Sequence, residues 1–527
     1  VLIYRLAIFL NALLLVFTYF VSCRCMMKIF ESTDKKIIRI ACAATVLYSS
    51  NIFYTQNTNG EILYLFLFWV LLYCGLFFLK KKSVFAAVCM TLAALLNFAA
   101  HMRSLSLLLA TVLLILFISI SEKKYRLVLA SAATLVTGYL LFNSAKEAVL
   151  QIVYQGGEFT KYNDVSGQAS KLANLTSLSD FGRILCMCFG RLFYLGTSTV
   201  LLLYMGVFIC IFFIFSVFLK SGKRKKKRDK REGIKGLISV SYWPILLFLL
   251  LSLAFSIGIS ALYFQDPGEY VSFVFYGRYT EYLIGPFLII ALLALYNETR
   301  QCGSFYALSV VTHLLLCLVV YFYLENNDIS KNAIHPNAVG VAGILTNLGS
   351  SSIEYATFGI GLVAVLTATV IFLVMRSCKT QNRDFRLRGY ITVAVLLVFF
   401  WTYHTYTYIN NTLHSDAMVK RQELYIDIAE EMEEIGEDEA VVFPFDGILN
   451  GAGMYDMTFL QFKVPDTKIN LVSVLDAEAE KEVAEADYLL WSASVTYPEE
   501  LEEIRDACFE IVIKNDYLTL YRRCSSG

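Results

Sequence analysis

Apolar runs long enough to cross a ~30 Å hydrocarbon core recur along almost the whole first four-fifths of this chain. Lipid offers the backbone no hydrogen-bond partner, so spanning segments must be helices or closed barrels. The runs are continuous rather than alternating, which excludes a barrel. Composition agrees: 57% of residues are hydrophobic, 15% are aromatic and the mean hydropathy is +0.59. The fold class expected is a polytopic α-helical membrane protein.

Twelve spans are expected, at 1–22, 38–54, 62–79, 83–100, 104–120, 126–143, 192–219, 237–263, 281–297, 305–323, 356–375 and 389–409. Alternating them places every basic connection on one side: 24–39, 80–82, 122–126, 220–235, 298–304 and 376–388. The stretch "KSGKRKKKRDKREGIK" holds ten Lys/Arg and two acids. By the positive-inside rule that side is cytoplasmic. The run reads as a topology determinant near anionic lipid rather than a nucleic-acid site. External loops then fall at 55–61, 101–103, 144–191, 264–280 and 324–355. In the long 144–191 loop the second half has apolar residues at helical spacing around Arg183 and Arg191, which reads as an interfacial amphipathic helix feeding the next span.

The net charge of +1 conceals an asymmetry. From Asn410 to Gly527 there are 26 Asp/Glu and 9 Lys/Arg, whereas the other 409 residues carry 18 acids and 36 bases. A basic membrane domain, 1–409, is therefore expected before an acidic, water-soluble domain, 410–527, outside the cytoplasm. In that tail "HSDAMVKRQELYIDIAEEMEEIG" and "YPEELEEIRDA" read as helices, and "EAVVFPF", "KINLVSV" and "DYLLWS" as short strands. "FEIVIKNDYLTLYRR" reads as a hairpin turning at Asn515-Asp516, so a small α/β domain is expected. Cys508 and Cys524 flank the hairpin, one position out of register, and a bulge would be needed to join them.

The 13 cysteines lack metal-ligand spacing, and there is no P-loop. The chain starts with Val, and its first run is too long and too aromatic for a signal peptide. We expect it to lack its true N-terminus.

Charges at the mouths of spans are costly unless they act. "YTQNTNGEILYLFLFWVLLY" brings Glu61 to the outer start of a span, and "HMRSLSLLL" puts His101 and Arg103 in a short turn. "FQDPGEYVSFVFYGRYTEYLIGPF" supplies Asp266, Glu269, Arg278, Tyr279 and Glu281. Singly, each reads equally well as an interfacial side chain reaching for water. Together they place bidentate phosphate-binding arginines beside carboxylates able to orient a hydroxyl.

These residues carry a resemblance. "YRLAIFLNALLLVFTYFV", the Glu61 stretch, "HMRSLSLLLA" and "FYGRYTEYLIGPFLIIALLA" resemble, in that order, segments of bacterial integral-membrane glycosyltransferases of the GT-C fold. The type is similar to dolichyl-phosphate-mannose-protein mannosyltransferases and arabinosyltransferases. The resemblance covers most of 1–297. It implies transfer of a sugar from a polyprenyl-phosphate donor to an extracytoplasmic acceptor, a glycan, lipid or protein of the cell envelope. It implies that Arg278 and Arg103 hold the lipid phosphate. Glu61, with His101, Asp266, Glu269, Tyr279 and Glu281, would line the donor or acceptor site, Glu281 either orienting Arg278 or meeting the sugar. The family's catalytic carboxylate lies in the first external loop, which this chain is expected to lack, so the catalytic residue is left unassigned and the resemblance does not imply that the chain as given is active. No cofactor is implied; family members differ in whether they need a divalent metal. A lipid-linked polysaccharide polymerase or ligase, and a transporter or flippase, are the alternatives. Seven spans before the basic loop and five after it, with no visible half-repeat, weigh against the transporter.

Overall fold

The computed structural model describes residues 2–57, 60–154, 177–221, 238–263, 271–297, 301–327, 329, 336–347, 352–378, 382–413, 416–436, 439–445, 457, 460–461, 463–464, 467–476 and 478–524. It divides into two compact units, Val1–Tyr408 and Ile409–Gly527.

The described residues of the first unit form helices joined by turns, and each of the twelve expected segments contains helix. Among the described residues nine helices are long and apolar enough to cross a membrane. Lys35–Val46 and Ser49–Thr55 pass that test as a pair, bent by 61°. Val84–Ala100 and Glu281–Asn297 are shorter apolar helices. The chain is thus a multi-pass helical membrane protein.

The unit is organised around Ile284–Asn297, in which every residue from Ile284 to Tyr296 is buried. A helix that is apolar all round belongs inside a bundle, and Pro286 sits in its first turn, where no intrahelical N–H is needed. Leu202–Ser221 packs against it so closely that a Cβ on Gly206 would lie 2.2 Å from the Phe287 carbonyl oxygen. Arg126–Tyr154 is peripheral, with Leu129, Val136, Leu140 and Leu141 exposed, as suits a lipid-facing helix. Leu2–Ile29 likewise exposes Leu6, Phe9, Leu10, Val16 and Phe20.

Four expectations need correction. The segment 38–54 is two helices, broken around Leu47 and Tyr48, not one straight span. The segment 192–219 is also broken. The amphipathic helix runs Leu178–Ser198, and the apolar helix starts only at Leu202. Val200 and Leu201 take left-handed φ values of 52° and 61° between them. Such values are strained for these side chains, and they are held by backbone bonds from Val200 to Thr197 O and from Leu201 to Gly196 O. Third, Leu178–Ser198 is not merely interfacial, because Ile184, Met187, Arg191, Phe193 and Tyr194 are buried against neighbouring helices. The span 126–143 also continues, as helix, to Tyr154.

The second unit is a three-layer α/β/α domain. Its sheet has the order β2-β1-β3-β5-β4, with β1 Val441–Phe445, β2 Ile469–Ser473, β3 Tyr488–Ser492, β4 Phe509–Lys514 and β5 Leu518–Arg523. β1 pairs parallel with β2 and β3, while β5 pairs antiparallel with β3 and β4. Alternation buries both faces. Val441, Phe443, Phe445 and Leu490 pack with Tyr425, Ile428 and Met432 of the helix Asp416–Glu433. Val442, Leu489 and Trp491 pack with Val483 of Ala479–Glu485 and Leu501 of Glu499–Cys508. The helix Ala479–Glu485 was not anticipated. Asn515 forms the hairpin turn, its Oδ1 accepting from Tyr517 and Leu518 N–H. A bulge between Ile511 and Ile513 corrects the register, so that Cys524 N–H donates to Cys508 O at 2.8 Å. Both thiols are free.

Candidate functional site

Three segments distant in sequence meet at one carboxylate. Glu61 is the first residue of the helix Glu61–Lys81, where the N-terminal end of the helix dipole favours a negative charge. Arg103 lies in a single 3-10 turn, Met102–Ser104, opened by His101, whose Nδ1 accepts from Arg103 N–H at 3.2 Å. Arg278 follows Gly277 in a turn closed by Thr280 and Glu281 N–H groups donating to Gly277 O. Only glycine fits at 277, because a Cβ there would lie 2.0 Å from the Tyr194 ring.

Glu61 accepts from both arginines: Oε2 from Arg103 Nη2, and Oε1 from Arg278 Nε at 2.5 Å. The side chains of Glu61 and Arg103 are 6% and 2% exposed, whereas that of Arg278 is 27% exposed. The three charges leave one net positive charge. Two further donors of Arg103, Nε and Nη1, are buried without a hydrogen-bond partner. Aromatic faces flank the same guanidinium, its Cζ lying 4.9 Å from the centroid of Tyr64 and 5.2 Å from that of Tyr279. Tyr279 is also in edge contact with His101 at 6.0 Å. Burial, with the charge of Arg278 nearby, pushes His101 down to about 4, so it stands neutral at physiological pH.

Of the residues singled out in the sequence, Glu61, His101, Arg103, Arg278 and Tyr279 come together. Glu281 does not orient Arg278. It is buried and accepts instead from Ser50 Oγ at 2.5 Å and from Tyr194 OH. Tyr194 in turn accepts from Gly340 N–H at 3.1 Å. Both oxygens of Glu61 are engaged by arginine. Asp266 and Glu269 lie outside the described residues.

Sequence reasoning passed over Ser50 and Tyr194, which carry no motif. It noted Arg191 but not its role. That guanidinium is fully buried, donating to Ser260 Oγ at 2.7 Å, Ser260 O at 3.0 Å and Met187 O at 2.9 Å. Among the described residues no three His, Cys, Asp or Glu side chains converge as metal ligands.

No protein-family model matches the chain, and no curated protein matches it. Among solved structures it is similar to ArnT from Cupriavidus metallidurans bound to undecaprenyl phosphate. The identity is 12%, the likeness covers 99% of this chain and 84% of that one, and the TM-score is 0.45. The apo state of the same ArnT is similar at 10% identity, with the same coverage and TM-score. At such identities and scores the likeness carries no argument here.

Proposed function

We propose that this chain is a membrane glycosyltransferase that takes a sugar from a polyprenyl-phosphate donor and passes it to an acceptor outside the cytoplasm. The observation that carries the proposal is the arginine pair bridged by Glu61. A single carboxylate between two guanidinium groups leaves the cluster with net positive charge, and the buried Nε and Nη1 of Arg103 lack partners. Buried donors without acceptors are costly, and an anion with several acceptor oxygens would satisfy them. A phosphate is such an anion, and the helical bundle suits a lipid-borne one. Arg278, the more exposed of the pair, would receive the phosphate, with Arg103 behind it. Glu61 would hold both guanidinium planes in place rather than touch the sugar first. The resemblance of the Glu61, Arg103 and Arg278 segments to GT-C enzymes supplies the reaction class. The acidic α/β unit would lie on the acceptor side.

The reading is tested by supplying the purified protein, in detergent or nanodiscs, with radiolabelled polyprenyl-phosphate sugars and an envelope extract. The expected result is label moving from the lipid to an acceptor, in parallel with saturable binding of the unsugared polyprenyl phosphate. Absence of both with a folded protein would contradict it.

A further inference from the structure

Tyr194, fully buried in the helix Leu178–Ser198, meets the turn that carries Arg278 in two places. Its ring lies against Gly277, where a Cβ would come within 2.0 Å of it. Its hydroxyl donates to Oε1 of Glu281, three residues after Arg278. Arg278 is thus bracketed by two contacts with one side chain. We propose that Tyr194 is a positioning residue, which sets the backbone from which Arg278 reaches the lipid phosphate. It acts through the turn rather than on the guanidinium. The proposal rests on the glycosyltransferase reading, in which Arg278 anchors the donor.

Packing alone does not account for the hydroxyl. A phenylalanine ring would fill the space against Gly277 equally well. A tyrosine hydroxyl has one hydrogen to give and lone pairs to accept with. Here the hydrogen goes to Glu281, and a lone pair accepts from Gly340 N–H at 3.1 Å. Gly340 belongs to Pro336–Val341, which approaches so closely that a Cβ on it would lie 2.6 Å from Ser198 Cβ and 2.9 Å from Tyr194 OH. Glu281 Oε1 also accepts from Ser50 Oγ at 2.5 Å, in the helix Ser49–Thr55. Leu178–Ser198, Pro336–Val341 and Ser49–Thr55 are therefore joined to the residue that closes the Arg278 turn. Tyr194, Ser50, Glu281 and Gly340 are all buried, so each of these bonds is costly to leave unmade.

The turn needs that support. Its own bonds are local: Thr280 and Glu281 N–H groups donate to Gly277 O, as does Thr280 Oγ1 at 2.9 Å. They shape the turn without orienting it in the bundle. Orientation comes from side chains of other helices. Ser50 and Tyr194 hold Glu281, and Ser256 Oγ donates to Tyr279 O at 2.6 Å. Of these three, Tyr194 meets the turn at both ends. The Arg278 side chain is itself 27% exposed, so burial does not fix it. A guanidinium fork grips phosphate in one geometry, and affinity is lost when that geometry must be found anew.

The test is a double-mutant cycle on the affinity of unsugared polyprenyl phosphate for the full chain in nanodiscs, well below the unfolding temperature. Tyr194→Phe keeps the ring and removes the hydroxyl. It should weaken binding about fivefold, the scale of one ordinary hydrogen bond. In the Arg278→Ala background the same substitution should cost nothing further, because its effect passes through Arg278. A merely structural role would lower the Tm and leave the affinity alone, or weaken binding equally in both backgrounds; either result overturns the proposal. Glu281→Met removes the same hydrogen bond from its other end and is read in the same cycle if Tyr194→Phe does not fold. A folded parent that does not bind polyprenyl phosphate overturns the glycosyltransferase reading and this proposal with it. Binding by the parent that Tyr194→Phe leaves unchanged overturns this proposal alone.

Discussion

Arg278 donates through Nε to the Glu61 carboxylate at 2.5 Å, across 217 residues of chain, and the same carboxylate takes Nη2 of Arg103. One acid thereby fixes two bases of unequal burial, and the inequality has measurable consequences.

Removing Glu61 strands Arg103, which is almost wholly buried. Glu61→Ala should destabilise the protein by about 3–5 kcal/mol, the range for breaking a buried pair from one side. Arg278→Ala leaves Glu61 still paired with Arg103 and removes a partly exposed partner, so its stability cost should be on the order of 1 kcal/mol. Thermal unfolding of the two variants in one detergent checks the order; equal losses would refute it.

The arginine partnership was only partly legible in the sequence. The resemblance left Glu281 either orienting Arg278 or meeting the sugar. Residues 277–280 form a turn, however, and Glu281 leaves it directed towards Ser50 and Tyr194. By contrast the apolar runs and the tail strands were readable, since the length of an apolar run and the turn residues that bound it are local signals. The breaks around Tyr48 and at Val200 were not. Neither contains Pro or Gly, the residues that mark a break in a sequence.

His101 gives a pH dependence. Its value falls from an ordinary 6.5 to about 4 in the fold, so between those values the unfolded chain binds the extra proton. Stability from this group is therefore full above about pH 6.5, declines as pH falls towards 4, and is flat below. His101→Gln should flatten the unfolding profile across that window. An NMR titration of labelled histidine showing His101 protonated at pH 6 would contradict the assignment.

Gly206 marks the closest approach of two helices. Gly206→Ala should cost about 1–3 kcal/mol by overpacking against Phe287 backbone. Gly258→Ala is the control: nothing lies within 4 Å of its Cβ, and helix propensity favours alanine, so it should be neutral or stabilising. Unfolding midpoints and monodispersity report both.

The membrane orientation expected from charge alternation is open to thiol labelling. Leu475, just past the end of β2, is 78% exposed. In intact cells, with native thiols pre-blocked in a reference sample, an impermeant maleimide should reach Leu475→Cys and miss the exposed Lys123→Cys. The opposite pattern would invert the topology and place the acidic unit in the cytoplasm.

Arg278 is the proposed anchor of the lipid phosphate. The most direct measurement is the affinity of polyprenyl phosphate for the full chain in nanodiscs, compared among the parent, Arg278→Lys and Arg278→Ala. Lysine keeps the charge but loses the planar fork. Affinity should fall with lysine and fall further with alanine, by about 2–5 kcal/mol if the guanidinium is desolvated against the phosphate. Equal affinity in all three folded proteins would contradict the account, leaving Arg278 a surface cation that does no more than pair with Glu61.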